Sequence, residues 1–149
     1  MNSPVLLAIS GARWSRELVE RALENAETGG MLVAVYVVDT GIADYLSSGE
    51  ADLYPDIREA CGKLLLKGYV GVGNEILKAI SARGRTRGVD VNTHLVIGRF
   101  ANAVLDRMAV DEPRVVMTGR PRRQGWGRYS PGEAPASLAG RTGCPLIEV

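Results

Sequence analysis

The densest run of chemistry-bearing side chains is GRPRRQGWGRYSPGE, Gly119 to Glu133. Arg120, Arg122, Arg123 and Arg128 interleave there with Gly119, Gly125, Gly127 and Gly132. Glycines let successive backbone N–H groups turn toward an anion, and guanidinium forks bind phosphate oxygens in pairs. The composition suits a phosphate-bearing ligand. It equally suits a solvated surface loop that arginines keep soluble and that Trp126 and Tyr129 pin by packing.

Other reactive side chains carry less. Ser10 and Ser130 have no evident activating base, so a hydrolase triad has little support. His94 stands in a strand pattern without a second His or Cys nearby, and reads as structural rather than metal-binding or catalytic. Asp39 follows a strand and reads as a turn former. Cys61 and Cys144 form no CxxC pair; they read as small buried residues, and they suggest a reducing compartment and no metal site. The string Gly68-Tyr-Val-Gly71-Val-Gly73 lies inside a helical pattern rather than after a strand, which removes the context of a dinucleotide fingerprint.

The elements that must position these residues alternate. Pro4 to Ile9 is a continuous apolar run, the pattern of a strand covered on both faces in a parallel sheet. Leu18, Ala22, Leu23 and Ala26 then recur at helical spacing from Trp14 to Glu27, with Ser15 as N-cap and Gly29-Gly30 as the stop. A second strand covers Met31 to Val38. Gly41 to Asp56 reads as a loop with room for a short helix. Ile57, Cys61, Leu65, Tyr69, Val72, Ile76 and Ile80 predict a long helix to about Arg83. Gly62, Gly68, Gly71 and Gly73 inside it predict close packing or a kink. Val89 to Val96 predicts a third strand, Phe100 to Met108 a helix, and Arg114 to Thr118 a fourth strand. A short helix from Gly132 or Pro135 to Arg141 and a last strand from Pro145 to Val149 complete the order. The fold class is α/β, an open five-stranded parallel sheet with helices on both faces, in one domain spanning residues 1–149. In such sheets ligands sit beyond the carboxyl ends of the strands, where strand order reverses.

Composition sets further bounds. The chain has 149 residues, 46% hydrophobic and 23% charged, which fits one globular domain. Its 18 basic and 17 acidic residues leave a net charge of +1, against the strong positive excess of a general nucleic-acid binder. Its 18 glycines exceed the roughly ten of an average chain this long, and point to tight turns or a backbone that approaches a ligand. The amino terminus lacks the pattern of a signal peptide and no apolar run reaches membrane-spanning length, so a cytoplasmic protein without membrane insertion is expected.

Order and spacing together resemble the universal stress protein family. VLLAIS, VAVYVVD, the Gly98-Arg99-Phe100 turn, VVMTG and GCPLIEV fall where that family has its first strand, second strand, Gly-Asp-Pro turn, fourth strand and closing Cys-Pro strand. Gly119 and Gly132 stand at the first and last glycines of the family pattern G-x2-G-x9-G-[S/T], which wraps the phosphates and ribose of ATP. The resemblance implies a Rossmann-like, adenine nucleotide alpha hydrolase-like fold. By family position it implies ligand contacts at Ala8, Ser10, Val37, Thr118, Gly119, Arg120, Arg122, Gly132, Glu133 and Ala134. Arg123, Gly125 and Arg128 are further candidates for an anion-binding loop. It also implies a homodimer that pairs through the last strand, with Leu146, Ile147 and Val149 at the edge.

Three departures bear on the ligand. Arg122 replaces the middle glycine, Glu133 replaces the closing Ser or Thr, and Ser10 stands for the first-strand Asp that contacts the nucleoside. A carboxylate at position 133 repels phosphate unless a cation intervenes. The expectation is therefore a non-enzymatic stress-response or regulatory homodimer with a degenerate nucleotide site, no certain cofactor and no tight ATP binding. It would act through a protein partner or a small anionic ligand. The alternative is an ATP-binding switch or weak ATPase that uses the Arg-rich loop 119–133. A third reading is a regulatory module that docks on a transporter or kinase.

Overall fold

The computed structural model describes residues 3–27, 30–40, 55–120 and 144–149. The first strand, β1, is Val5–Ser10, and all six of its residues are buried. The helix α1, Arg16–Glu27, follows, and Ser15 Oγ accepts the Leu18 N–H at 3.1 Å, the expected cap. Strand β2 is Met31–Asp39, helix α2 Pro55–Thr86, strand β3 Asp90–Gly98, helix α3 Phe100–Asp111, strand β4 Val115–Thr118 and strand β5 Leu146–Glu148. Arg99 caps α3 without a side-chain hydrogen bond, and the helix stops at Glu112, whose backbone is left-handed at φ 46°. The expected helix between Gly132 and Arg141, the loop from Gly41 to Tyr54 and the Cys61 side chain lie outside what is described.

The five strands are parallel in the order β3-β2-β1-β4-β5. This is the anticipated open sheet. β1 runs down its centre, and alternation along the strands divides two cores. Val5, Leu7, Ile9, Ala34, Tyr36 and Met117 face α1 and α2, whereas Leu6, Ala8, Val33, Val35, Val37 and Val116 face α3. The unbroken apolar runs in the sequence follow from this: a strand covered on both faces has no solvent side on which to place polar residues.

Helix α2 is longer at both ends than its apolar spacing predicted. Its 32 residues extend about 48 Å at 1.5 Å per residue, against about 30 Å for a nine-residue strand. The helix therefore outruns the sheet. Its buried stripe is Gly73, Leu77, Ile80 and Gly84. At Gly73 an added Cβ would lie 2.6 Å from the Tyr36 ring and at Gly84 2.3 Å from Val91 Cγ2. Gly62, Gly68 and Gly71 correct the expectation of close packing, since a Cβ there meets nothing within 4 Å. Gly68 and Gly71 are off the stripe and face solvent.

Candidate site at the carboxyl edge of the sheet

Strand order reverses at β1. The chain goes from β1 to β2 on one side and reaches β4 on the other, which opens a crevice between the loops after β1 and β4. Register brings four of the sequence-predicted residues together there. Ala8 pairs with Thr118 and Ser10 with Val37, all on the side of the sheet that α3 covers. All four are buried. The Thr118 hydroxyl has no hydrogen-bond partner among the described residues.

The backbone at the crevice is tightly folded. Arg13 N–H donates to the Ser10 carbonyl at 3.1 Å and Ser10 N–H to the Arg13 carbonyl at 3.4 Å, a turn that swings residue 13 back over the strand end. Gly119 lies against that turn: an added Cβ would sit 3.0 Å from the Arg13 carbonyl carbon and 3.2 Å from Trp14 N. Those neighbours are backbone and cannot rotate away, so a side chain there would require the turn itself to shift by a few tenths of an ångström.

The centre of the crevice is held by Arg13, which the sequence reading passed over. It is only 2% exposed. Its guanidinium carbon stands 5.0 Å from the centroid of Phe100, the first residue of α3, and Nη1 donates to the Gly119 carbonyl at 3.3 Å. Burial pulls its pKa down, while the carboxylates of Glu148 and Asp39 push it back up. A guanidinium remains charged under such a balance, and here it bridges the ends of β1 and β4 as an internal cation. An arginine in a polar turn ordinarily reads as exposed, so no signal in SGARWS marked it. Asp39 closes β2 opposite Gly98, and beyond it Thr40 N–H donates to the Gly98 carbonyl at 3.1 Å.

Arg120 points elsewhere. Its N–H donates to the Val149 carbonyl at 3.0 Å, and its side chain, 77% exposed, lies 3.6 Å from Glu148. Arg122, Arg123, Gly125, Arg128, Gly132, Glu133 and Ala134 lie outside the described residues. Cys144 Sγ donates to the Pro113 carbonyl at 3.4 Å, and burial pushes its thiol pKa up, the opposite of an activated thiolate. β5 pairs with β4 along Leu146 to Glu148, and Val149 N–H donates to the Thr118 carbonyl at 2.9 Å. Its other edge carries no strand among the described residues. No helix among them is long and apolar enough to cross a membrane.

The model of the universal stress protein family matches residues 1–149. The chain belongs to the universal stress protein family. Among solved structures it is similar to the universal stress protein UspA from Lactobacillus plantarum, with a TM-score of 0.69 at 15% identity over 100% of this chain and 99% of that one. A universal stress protein solved in complex with cAMP gives a TM-score of 0.57 at 15% identity, covering 100% and 98% of the two chains. A family member from Arabidopsis thaliana with AMP bound gives 0.57 at 12% identity, covering 98% and 90%. No curated protein sequence matches this universal stress protein significantly.

Proposed function

We propose that this universal stress protein is a cytoplasmic, non-enzymatic homodimer of the stress response whose nucleotide crevice no longer binds ATP tightly, and which acts through protein partners or a small anionic ligand. Relatives have been solved with cAMP and AMP, so the family's fold accommodates adenine nucleotides. The observation that carries the reading is Arg13. The residues that stand at the family's ligand positions, Ala8, Ser10, Val37 and Thr118, surround the end of β1 on the α3 side, and the Arg13 side chain is buried on that same side against Phe100 and Gly119. A base entering there must displace a guanidinium that is stacked and hydrogen-bonded. The outer edge of β5, which carries no strand among the described residues and has Ile147 39% exposed, supports pairing with a second copy.

The experiment is a thermal-shift titration with ATP, AMP, cAMP and sulfate, on the natural chain and on Arg13→Ala. Ligand at about 100 times its dissociation constant adds about 2.7 kcal/mol, a midpoint rise of roughly 5–10 °C at this size. The natural chain is expected to show no nucleotide shift, and Arg13→Ala to acquire one with AMP. A shift of the natural chain with ATP but not sulfate overturns the reading and favours the switch or weak ATPase. An equal shift with sulfate marks an anion site instead.

A further inference from the structure

Helices α1 and α2 lie on the sheet face opposite the crevice's Ala8 and Thr118, α1 over β1, β2 and β4, and α2 over β2 and β3. Between them runs a groove of about 650 Å³. Cavities that hold small organic ligands span about 300–1,000 Å³. Its floor is apolar: Val19 from α1, and Ile76, Ala79 and Ile80 from α2, with the Trp14 indole at the carboxyl-edge end.

Charge divides the two ends. Toward the middle of α1, Glu20 spends both oxygens, Oε1 on Arg83 and Oε2 on Arg87, each at 2.8 Å. Arg87 reaches on to Glu27 at 2.8 Å, so ion pairs latch the helices at one end of the groove, with Glu20 and Arg83 in its lining. On the rim Glu75 lies 3.7 Å from Lys78. Arg16, one turn before Glu20 and beside Trp14, forms no close ion pair among the described residues and acts on the Glu20 carboxylate only at longer range. The open end thus offers a guanidinium without a close carboxylate above an apolar floor, the neighbouring Glu20 being already paired with Arg83 and Arg87. Glu20 and Glu75 nearby repel any anion, but a single negative charge meets about half the repulsion that a dianion would and keeps its attraction to Arg16.

We propose that the groove binds a small amphipathic carboxylate, its apolar body on Val19, Ile76, Ala79, Ile80 and Trp14 and its carboxylate on Arg16. The site is separate from the nucleotide crevice and does not depend on how that crevice is read. Decanoate is the probe, with decanol lacking the charge and acetate lacking the tail, followed by calorimetry on the natural chain, Ala79→Leu and Arg16→Gln. Ala79 is exposed on its helix, so Ala79→Leu fills the groove without entering the core; equal melting curves verify that the fold is kept. The expected result is saturable one-to-one decanoate binding that Ala79→Leu abolishes and Arg16→Gln weakens about two- to fivefold, the range of a rim ion pair, with decanol unaffected by Arg16→Gln. Absence of saturable decanoate binding, undiminished binding to Ala79→Leu, or acetate binding as well as decanoate overturns the proposal.

Discussion

Replacing Gly73 by alanine tests the packing that carries α2 across the sheet. An alanine Cβ would lie 2.6 Å from Tyr36 Cδ1, 2.8 Å from Cε1 and 3.0 Å from Leu95 Cδ1. Tyr36 is 1% exposed on β2, which is hydrogen-bonded to β1 and β3, so neither its ring nor its strand has room to yield. Overpacking of this kind costs about 1–3 kcal/mol, and three contacts at or below 3.0 Å place it at the upper end. Alanine in place of glycine returns about 1 kcal/mol of helix propensity, leaving a net loss of about 2 kcal/mol. Two residues away, Gly71→Ala meets nothing within 4 Å and keeps the whole propensity gain. At about 2–4 °C per kcal/mol, Gly73→Ala lowers the midpoint by roughly 4–8 °C and Gly71→Ala raises it by roughly 2–4 °C. Urea titrations with unchanged m values, alongside thermal melts, would establish both as stability effects. If Gly73→Ala proves as stable as Gly71→Ala, the close approach of α2 to Tyr36 is refuted.

Three further outcomes are expected. Thr118→Val keeps the shape of a buried side chain and deletes a hydroxyl without a partner among the described residues, so it should stabilise by about 1 kcal/mol; a loss in chemical denaturation would mean that the hydroxyl is bonded. Glu20→Gln removes a carboxylate whose pKa is held below its ordinary value, first by the Arg83 hydrogen bond, against a smaller opposing effect of burial. Because the folded pKa is the lower one, the contribution is complete above the unfolded value and disappears as pH falls through the folded one. The variant should therefore be less stable by about 1 kcal/mol at pH 7 and equal to the natural chain in acid well below pH 4.5, with the neutral-pH gap shrinking at high salt. If the proposed homodimer pairs through β5, Ile147→Lys sets like charges on that edge and should leave the protein monomeric in sedimentation experiments where the natural chain sediments as a dimer; a dimer that persists places the interface elsewhere.

Much of the framework was legible in the residues. The apolar runs at Val5–Ile9 and Met31–Val38, interleaved with helical spacing, required strands buried on both faces, and parallel strands require crossovers that put helices there. Ser15 was legible as a cap because its hydroxyl acts within one turn. The glycines of α2 were not. Gly71 and Gly73 are both glycines of one helix, and only the position of Tyr36 across the interface makes one indispensable and leaves the other open.

The same division runs through the crevice. Local patterns placed Ala8, Ser10, Val37, Thr118 and Gly119 at strand ends, because strand and turn propensities act over a few residues. The choice of β1 as the central strand, the pairing of Ala8 with Thr118, and the burial of Arg13 between Phe100 and Gly119 join segments about ninety to more than a hundred positions apart. Turn chemistry within SGARWS explains why the chain reverses after Ser10 and says nothing of where the guanidinium goes. Its burial is decided by an aromatic face and a carbonyl that only the assembled sheet brings within reach.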